Sequence, residues 1–182
     1  MGLPQRDTHD DCTAPTVTHQ VEVAQGAMHV SDDPRLELVA TLGSCISVCL
    51  FDRAGGWGGM NHIYKNVTAG PMGQAGVIAD VETLVNGLMR QGVLRSELAA
   101  RVTGGAQVLL RGKRHGDAIA TACLDYLDRE GIPVLGVSVG GNRARRIRFH
   151  PTSGRLVVGI LENTRVTGTP APETKGNAPE LF

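Results

Sequence analysis

The sequence lacks a net charge, a long apolar run and a recognisable export signal. Lys and Arg number 18 and so do Asp and Glu, which argues against a nucleic-acid binder held by overall charge. No run reaches the roughly 18 apolar residues that a membrane helix needs. The N-terminal stretch MGLPQRDTHDDC has no basic region leading into an apolar one. We therefore expect a cytoplasmic protein that neither binds nucleic acid nor inserts into a membrane.

Cysteine is also sparse, with four residues at Cys12, Cys45, Cys49 and Cys123. Disulfides stabilise exported proteins, and without an export signal in a chain of this size the four side chains are expected to be free thiols. Some of them can therefore react.

The 182 residues suit one domain with a substantial core. Residues 1–16 and 163–182 are rich in Pro, Thr, Gly and charge and have no periodicity, which is typical of mobile tails. The domain is predicted to span residues 17–162.

Apolar periodicity predicts two main helices, Ala75 to Gln91 and Asp117 to Glu130, each followed closely by a glycine. Around them lie short strand-like runs: VEV, LELVATL, CISVCLF, WGGMNHI, RVTGGAQVLL, PVLGVSV, RRIRF and RLVVGIL. These runs follow one another without strict alternation with helices. The pattern favours an α+β domain with a mostly antiparallel sheet packed against the two helices.

The runs CISVCLF and WGGMNHI bring a Cys and a His together. If the turn between them is the four residues 52–55, Phe51 pairs with Gly56 and Cys45 lies opposite His62, with Cβ atoms about 4.5–5.5 Å apart. A shift of one residue would send the two side chains to opposite faces. The sequence thus predicts that Cys45, as a nucleophile, lies beside His62, as its base.

A thiol needs such a neighbour because only the thiolate attacks, and an imidazolium favours the thiolate and returns a proton to the leaving group. Gly43 and Ser44 permit a tight turn whose N–H groups face a developing oxyanion. The alternative is that Cys45 is a small strand residue and His62 a satisfied polar one. A metal site is disfavoured because Cys-x3-Cys and one His supply no clear fourth ligand.

Several segments together resemble the chemoreceptor glutamine deamidases, the family called CheD: LGSCISVCLFD, GGMNH, VTGGAQ, YLDREGIPV and VGGNRARRIRFHPTSGRLVV. The resemblance implies a compact α/β/β sandwich with a catalytic pair that corresponds to Cys45 and His62. It implies conversion of glutamine side chains on chemoreceptor signalling helices into glutamate, with release of ammonia and no cofactor. It also implies a CheC-type chemotaxis phosphatase as a second partner.

Proteins similar to this one have a Thr six residues before the Cys as a third site residue. Val39 stands at that position here, and Thr41 lies nearby but out of register. If the role belongs to a main-chain carbonyl that orients His62, Val39 can still fill it.

The segment GGNRARRIR carries Arg143, Arg145, Arg146 and Arg148. A solvated strand edge explains these charges. A docking surface for an acidic helical partner explains them as well, because guanidinium groups bind carboxylates strongly.

Two other functions fit the same residues. A Cys-His pair could hydrolyse another protein amide, or the domain could act without catalysis as an adaptor that binds receptors or a signalling phosphatase. Release of ammonia from purified receptor would separate an enzyme from an adaptor.

Overall fold

Two helices and nine strands form three layers in the computed structural model, which describes residues 17–64, 71–107 and 115–161. The predicted tails, 1–16 and 163–182, lie outside these ranges, and the described residues contain no helix long and apolar enough to cross a membrane. The first strands are β1 (His19–Glu22), β2 (Met28–Ser31), β3 (Leu36–Leu42), β4 (Ile46–Asp52) and β5 (Gly58–Asn61). Then come α1 (Pro71–Met89), a 3-10 turn (Arg95–Glu97), β6 (Leu98–Gly104), α2 (His115–Arg129), β7 (Val134–Val139), β8 (Arg145–His150) and β9 (Arg155–Ile160).

The strands form two mixed sheets. One has the order β2-β5-β4-β6-β7 and the other the order β1-β3-β8-β9. The pairs β1–β3 and β6–β7 are parallel, and the remaining pairs are antiparallel. The prediction of an α+β fold with mostly antiparallel sheet is confirmed.

The sheets and helices enclose two cores because the inner strands of the five-stranded sheet, β4, β5 and β6, bury both of their faces. On one face, α1 and α2 pack against strand residues such as Val48, Leu50 and Val102. On the other face, the four-stranded sheet packs against the five-stranded one through residues such as Phe149 and Met60. The order of layers is helix, sheet, sheet, which is the α/β/β sandwich that the family resemblance implies.

The helix boundaries differ slightly from those predicted. Helix α1 begins at Pro71 instead of Ala75, and proline suits the first helical position because the N–H it lacks has no partner there. Helix α2 begins at His115 instead of Asp117. Strand β2 was not predicted, and it is an edge strand of only four residues. Its pairing with β5 nevertheless places it beside the candidate site.

Candidate active site

The two candidate side chains flank the hairpin of β4 and β5, with Cys45 just before β4 and His62 just after β5. The register of this hairpin differs from the predicted one. Phe51 pairs with Gly58 and Cys49 pairs with Met60. The predicted pairing of Phe51 with Gly56 is therefore wrong by two residues. A shift of two residues preserves the faces of a strand, whereas a shift of one would have reversed them.

The turn of this hairpin lies one residue later than predicted. The Asp52 N–H donates to the Trp57 carbonyl over 2.9 Å, so the turn consists of residues 53–56. Gly55 and Gly56 have φ angles of 87° and 114°, which glycine adopts without the steric cost that a side chain imposes. The consecutive glycines in DRAGGWGG left several positions open for this turn.

A bridge at the open end of the hairpin sets the relation between Cys45 and His62. The Ile46 N–H donates to the Ile63 carbonyl over 3.0 Å, and the Ile63 N–H donates back over 2.7 Å. In this register His62 lies opposite Ser47, and Cys45 is its diagonal neighbour instead of its direct partner. Diagonal neighbours on one face are about 7–8 Å apart. Cys45 packs against the core between the sheets, on the side to which His62 also points by strand alternation.

The thiols of the described residues differ in exposure. Cys45 is half-buried, whereas Cys49 and Cys123 are fully buried. Burial raises the pKa of the Cys45 thiol from its ordinary value of 9.0, and it raises the pKa of both Cys49 and Cys123 to about 12. Cys45 is thus the accessible thiol among these three, and by itself it is neutral at pH 7. Cys12 lies outside the described residues.

The His62 ring is buried, with 8% of the residue exposed. Its Nδ1 lies 3.0 Å from the Val23 carbonyl oxygen. Because a carbonyl oxygen only accepts, Nδ1 carries the hydrogen in the neutral ring and Nε2 presents a lone pair. Nε2 is buried and has no hydrogen-bond partner among the described residues, so no hydrogen bond joins it to the Cys45 thiol in this resting arrangement.

The carbonyl that orients His62 is not the one expected from the sequence. Val39 instead accepts a 2.8 Å hydrogen bond from the Val23 N–H, and it therefore holds the residue that contacts the ring. The Thr41 hydroxyl accepts from the Arg146 guanidinium over 2.9 Å. The expectation that Val39 or Thr41 orients His62 directly is therefore wrong, because the Val23 carbonyl makes the contact with the ring.

Sequence reasoning missed Val23 because a main-chain contact between residues 39 positions apart leaves no side-chain signature. Val23 directly follows β1, and the run VEV did predict extended backbone there. A strand prediction cannot show which carbonyl faces a distant ring.

The backbone around Cys45 is held from the end of β6. The Gly105 N–H donates to the Cys45 carbonyl over 2.7 Å, and the Ala106 N–H donates to the Gly43 carbonyl over 2.8 Å. Among the described residues, no main-chain carbonyl accepts from the N–H groups of Gly43, Ser44 or Cys45. The Cys45 N–H contacts its own thiol, whereas Gly43 and Ser44 are the residues whose N–H groups the sequence predicts for the oxyanion site.

The four arginines do not share one environment. Arg143 and Arg148 are exposed. Arg146 forms an ion pair with Glu22, with a nitrogen-oxygen distance of 2.7 Å. Arg145 is 6% exposed, so its prediction as a docking residue is wrong. Strand alternation explains this, because Arg145 starts a strand whose odd-numbered residues face the core.

The described residues contain no group of three or more His, Cys, Asp or Glu side chains that could hold a metal ion. A thiol, an imidazole and main-chain donors lie at this site. Such a set suits acyl transfer from an amide or ester.

Comparison with known proteins places the chain in a family. A family model described as CheD chemotactic sensory transduction matches residues 74–159. A probable chemoreceptor glutamine deamidase CheD of Agrobacterium fabrum is 39% identical over 160 residues, which cover 86% of this chain and 88% of that protein. The chain belongs to the CheD family. Another member, probable chemoreceptor glutamine deamidase CheD 1 of Ruegeria sp., is 44% identical over 75% of this chain and 74% of its own length.

A third relative extends the similarity over nearly the full length. The probable chemoreceptor glutamine deamidase CheD of Caulobacter sp. is 35% identical, covering 96% of this chain and 97% of that protein. The family membership inferred from the segments LGSCISVCLFD and GGMNH is thereby confirmed.

Proposed function

We propose that this CheD-family protein is a protein-glutamine deamidase that converts glutamine side chains of chemoreceptors to glutamate and releases ammonia. The observation that supports the proposal is that an accessible thiol and a fixed imidazole ring lie on one face of the β4–β5 hairpin. Cys45 is an accessible thiol, and His62 is a ring fixed through Nδ1 with an unpartnered Nε2. The names of the relatives, which are probable chemoreceptor glutamine deamidases, supply the substrate class.

The reaction begins with proton transfer from the Cys45 thiol to Nε2 of His62. The thiolate then attacks the carboxamide carbon, and the oxygen takes up negative charge in the tetrahedral intermediate. N–H groups of Gly43, Ser44 and Cys45 are the donors nearest to this charge, because they belong to the nucleophile's own turn.

Collapse of the intermediate breaks the carbon-nitrogen bond. His62 returns its proton to the departing nitrogen, which leaves as ammonia, and the glutamine acyl group remains on Cys45 as a thioester. Water then attacks the thioester while Nε2 accepts its proton. Cys45 leaves as the thiolate, is reprotonated, and the substrate keeps a glutamate side chain.

The resting arrangement requires one movement before this chemistry. Cys45 and His62 are diagonal neighbours without a hydrogen bond, and burial keeps the thiol neutral. Catalytic hydrogen bonds are often long in the absence of substrate and shorten when it binds. Substrate docking therefore has to bring the thiol towards Nε2, which couples activation of the nucleophile to recognition of the correct partner.

Docking is assigned to the exposed arginines Arg143 and Arg148, with Arg146 contributing when its ion pair with Glu22 opens. These guanidinium groups suit carboxylates that flank a glutamine on a receptor helix. The protein would act in the cytoplasm, where a CheC-type chemotaxis phosphatase is the second partner proposed from the family resemblance.

The test is deamidation of a purified receptor signalling fragment, followed residue by residue by mass spectrometry. Cys45→Ala should abolish conversion, because the other two thiols of the described residues, Cys49 and Cys123, are fully buried. Cys49→Ala is the matched control, since this thiol is on the same strand face but fully buried, and it should retain most of the activity. Equal loss from both substitutions would remove Cys45 from its role.

A further inference from the structure

Arg145 is a buried cation that the proposed reaction does not use. Its Nη2 donates to the Gly140 carbonyl over 2.7 Å, and its Nη1 donates to the Gly104 carbonyl over 3.3 Å. Its Nε is buried and has no partner among the described residues. Removing a charge from water is costly. A side chain held at such a cost by main-chain carbonyls fixes the position of those carbonyls.

The Gly104 carbonyl belongs to the peptide unit that holds Cys45. The carbonyl of this unit accepts from Arg145, and its N–H, which is that of Gly105, donates to the Cys45 carbonyl over 2.7 Å. A charged donor polarises the peptide that it binds and strengthens the next hydrogen bond in the chain. Arg145 therefore acts on the nucleophile's backbone through a single peptide unit.

The same chain of hydrogen bonds continues towards the base. The peptide unit that follows Cys45 donates through its N–H, which is that of Ile46, to the Ile63 carbonyl. Ile63 directly follows His62, just beyond the end of β5. Consecutive hydrogen bonds thus run from the Arg145 guanidinium through the backbone of the nucleophile to the residue that follows the base.

We infer that Arg145 is a positioning residue, which holds the Cys45 backbone at the end of β6 so that the thiol stays within reach of His62. The inference rests on the proposed function in taking Cys45 as the nucleophile. It gives Arg145 a role different from docking, because the side chain is too buried to contact a receptor.

The test compares Arg145→Met and Arg145→Lys with a core variant of the same strand. Ile147 is fully buried in β8, and Ile147→Val or Ile147→Ala is chosen so that its melting temperature matches that of the Arg145 variant. The first readout is the rate at which iodoacetamide alkylates Cys45, measured by peptide mass spectrometry across a pH series. The second is kcat and KM for receptor deamidation.

Arg145→Met should slow both Cys45 alkylation at neutral pH and kcat by about tenfold relative to the stability-matched Ile147 variant, as expected for a displaced nucleophile. KM should stay unchanged. Arg145→Lys, which keeps a charge and a donor, should recover part of both rates. If Arg145→Met does not fold, Arg145→Lys alone must fall below its matched Ile147 control.

Alkylation and kcat equal to those of the stability-matched control would overturn the positioning role. The two readouts also separate this inference from the proposed function. If wild-type protein does not deamidate the receptor, the proposed function fails, while the alkylation rates still decide whether Arg145 positions Cys45.

Discussion

Replacing Gly104 with alanine is predicted to damage the site through contact with the nucleophile's backbone. Gly104 has a φ angle of 119°, and a Cβ atom built on it lies 2.2 Å from the Cys45 carbonyl oxygen. Residues with a side chain rarely adopt this backbone conformation, and the Cys45 carbonyl oxygen would have to move away from the new Cβ atom. The strained backbone and the overpacking together should lower the free energy of unfolding by about 2–6 kcal/mol.

The effect on activity should exceed the effect of lost stability alone. A displacement of about 1 Å in a reacting group can cost about 100-fold in rate, so we expect kcat to fall by that order in the protein that remains folded. The assay is receptor deamidation at a temperature where circular dichroism shows Gly104→Ala to be folded, together with urea unfolding.

Gly131→Ala is the control for this substitution. Gly131 follows α2 with a φ angle of 67°, and a Cβ atom there meets nothing within 4 Å. Its left-handed conformation should cost about 1–2 kcal/mol without changing kcat. A folded Gly104→Ala protein with wild-type kcat would show that the contact between Gly104 and Cys45 does not position the Cys45 backbone.

Other predictions follow from the thiols and the arginines. Iodoacetamide should label Cys45 faster than Cys123 at neutral pH. His62→Ala should shift the labelling of Cys45 to alkaline pH, because burial without the imidazole raises the pKa of that thiol. A labelling rate unchanged by His62→Ala would exclude His62 as the base. Replacing Arg143 and Arg148 with Glu should raise KM for receptor by about tenfold or less, should make KM less dependent on salt, and should change kcat little. An unaltered KM would mean that these arginines form only a solvated strand edge. Burial raises the pKa of Cys123 from 9.0 to about 12, so between these two pH values the thiol ionises in the unfolded protein but not in the folded one. In this window the free energy of unfolding should fall with rising pH by up to about 1.4 kcal/mol per pH unit more in wild type than in Cys123→Ala. An equal pH dependence of the two proteins in urea unfolding would contradict this.

The sequence predicted individual strands well where apolar residues recur regularly. The run LELVATL matches β3, Leu36–Leu42, from end to end, because its even-numbered residues form an unbroken apolar face on the core between the sheets. The sequence predicted the register of β4 and β5 poorly, since glycines at 55, 56, 58 and 59 left the position of the turn open. The faces were still right, because the error was an even number of residues.

The candidate pair could be chosen from the sequence, but the contacts that hold it could not be predicted. Cys45 and His62 stand out through residue type and spacing. The Val23 carbonyl and the peptide unit of Gly104 and Gly105 act through main-chain atoms, whose partners depend on tertiary packing. The burial of Arg145 could have been predicted, because the alternation of side chains in RRIRF places Arg145 and Arg146 on opposite faces of the strand. The positive charge of the segment instead suggested an edge that is exposed throughout.

The most direct test of the account follows the amide nitrogen itself. A receptor signalling fragment with isotope-labelled glutamine side-chain nitrogen is incubated with the wild-type protein and with Cys45→Ala, while free ammonia and new glutamate are both measured. Labelled ammonia and glutamate should appear together at equal rates with wild type, and neither should appear above background with Cys45→Ala. Labelled ammonia released equally fast by Cys45→Ala, or no release from any receptor glutamine by wild type, would contradict it.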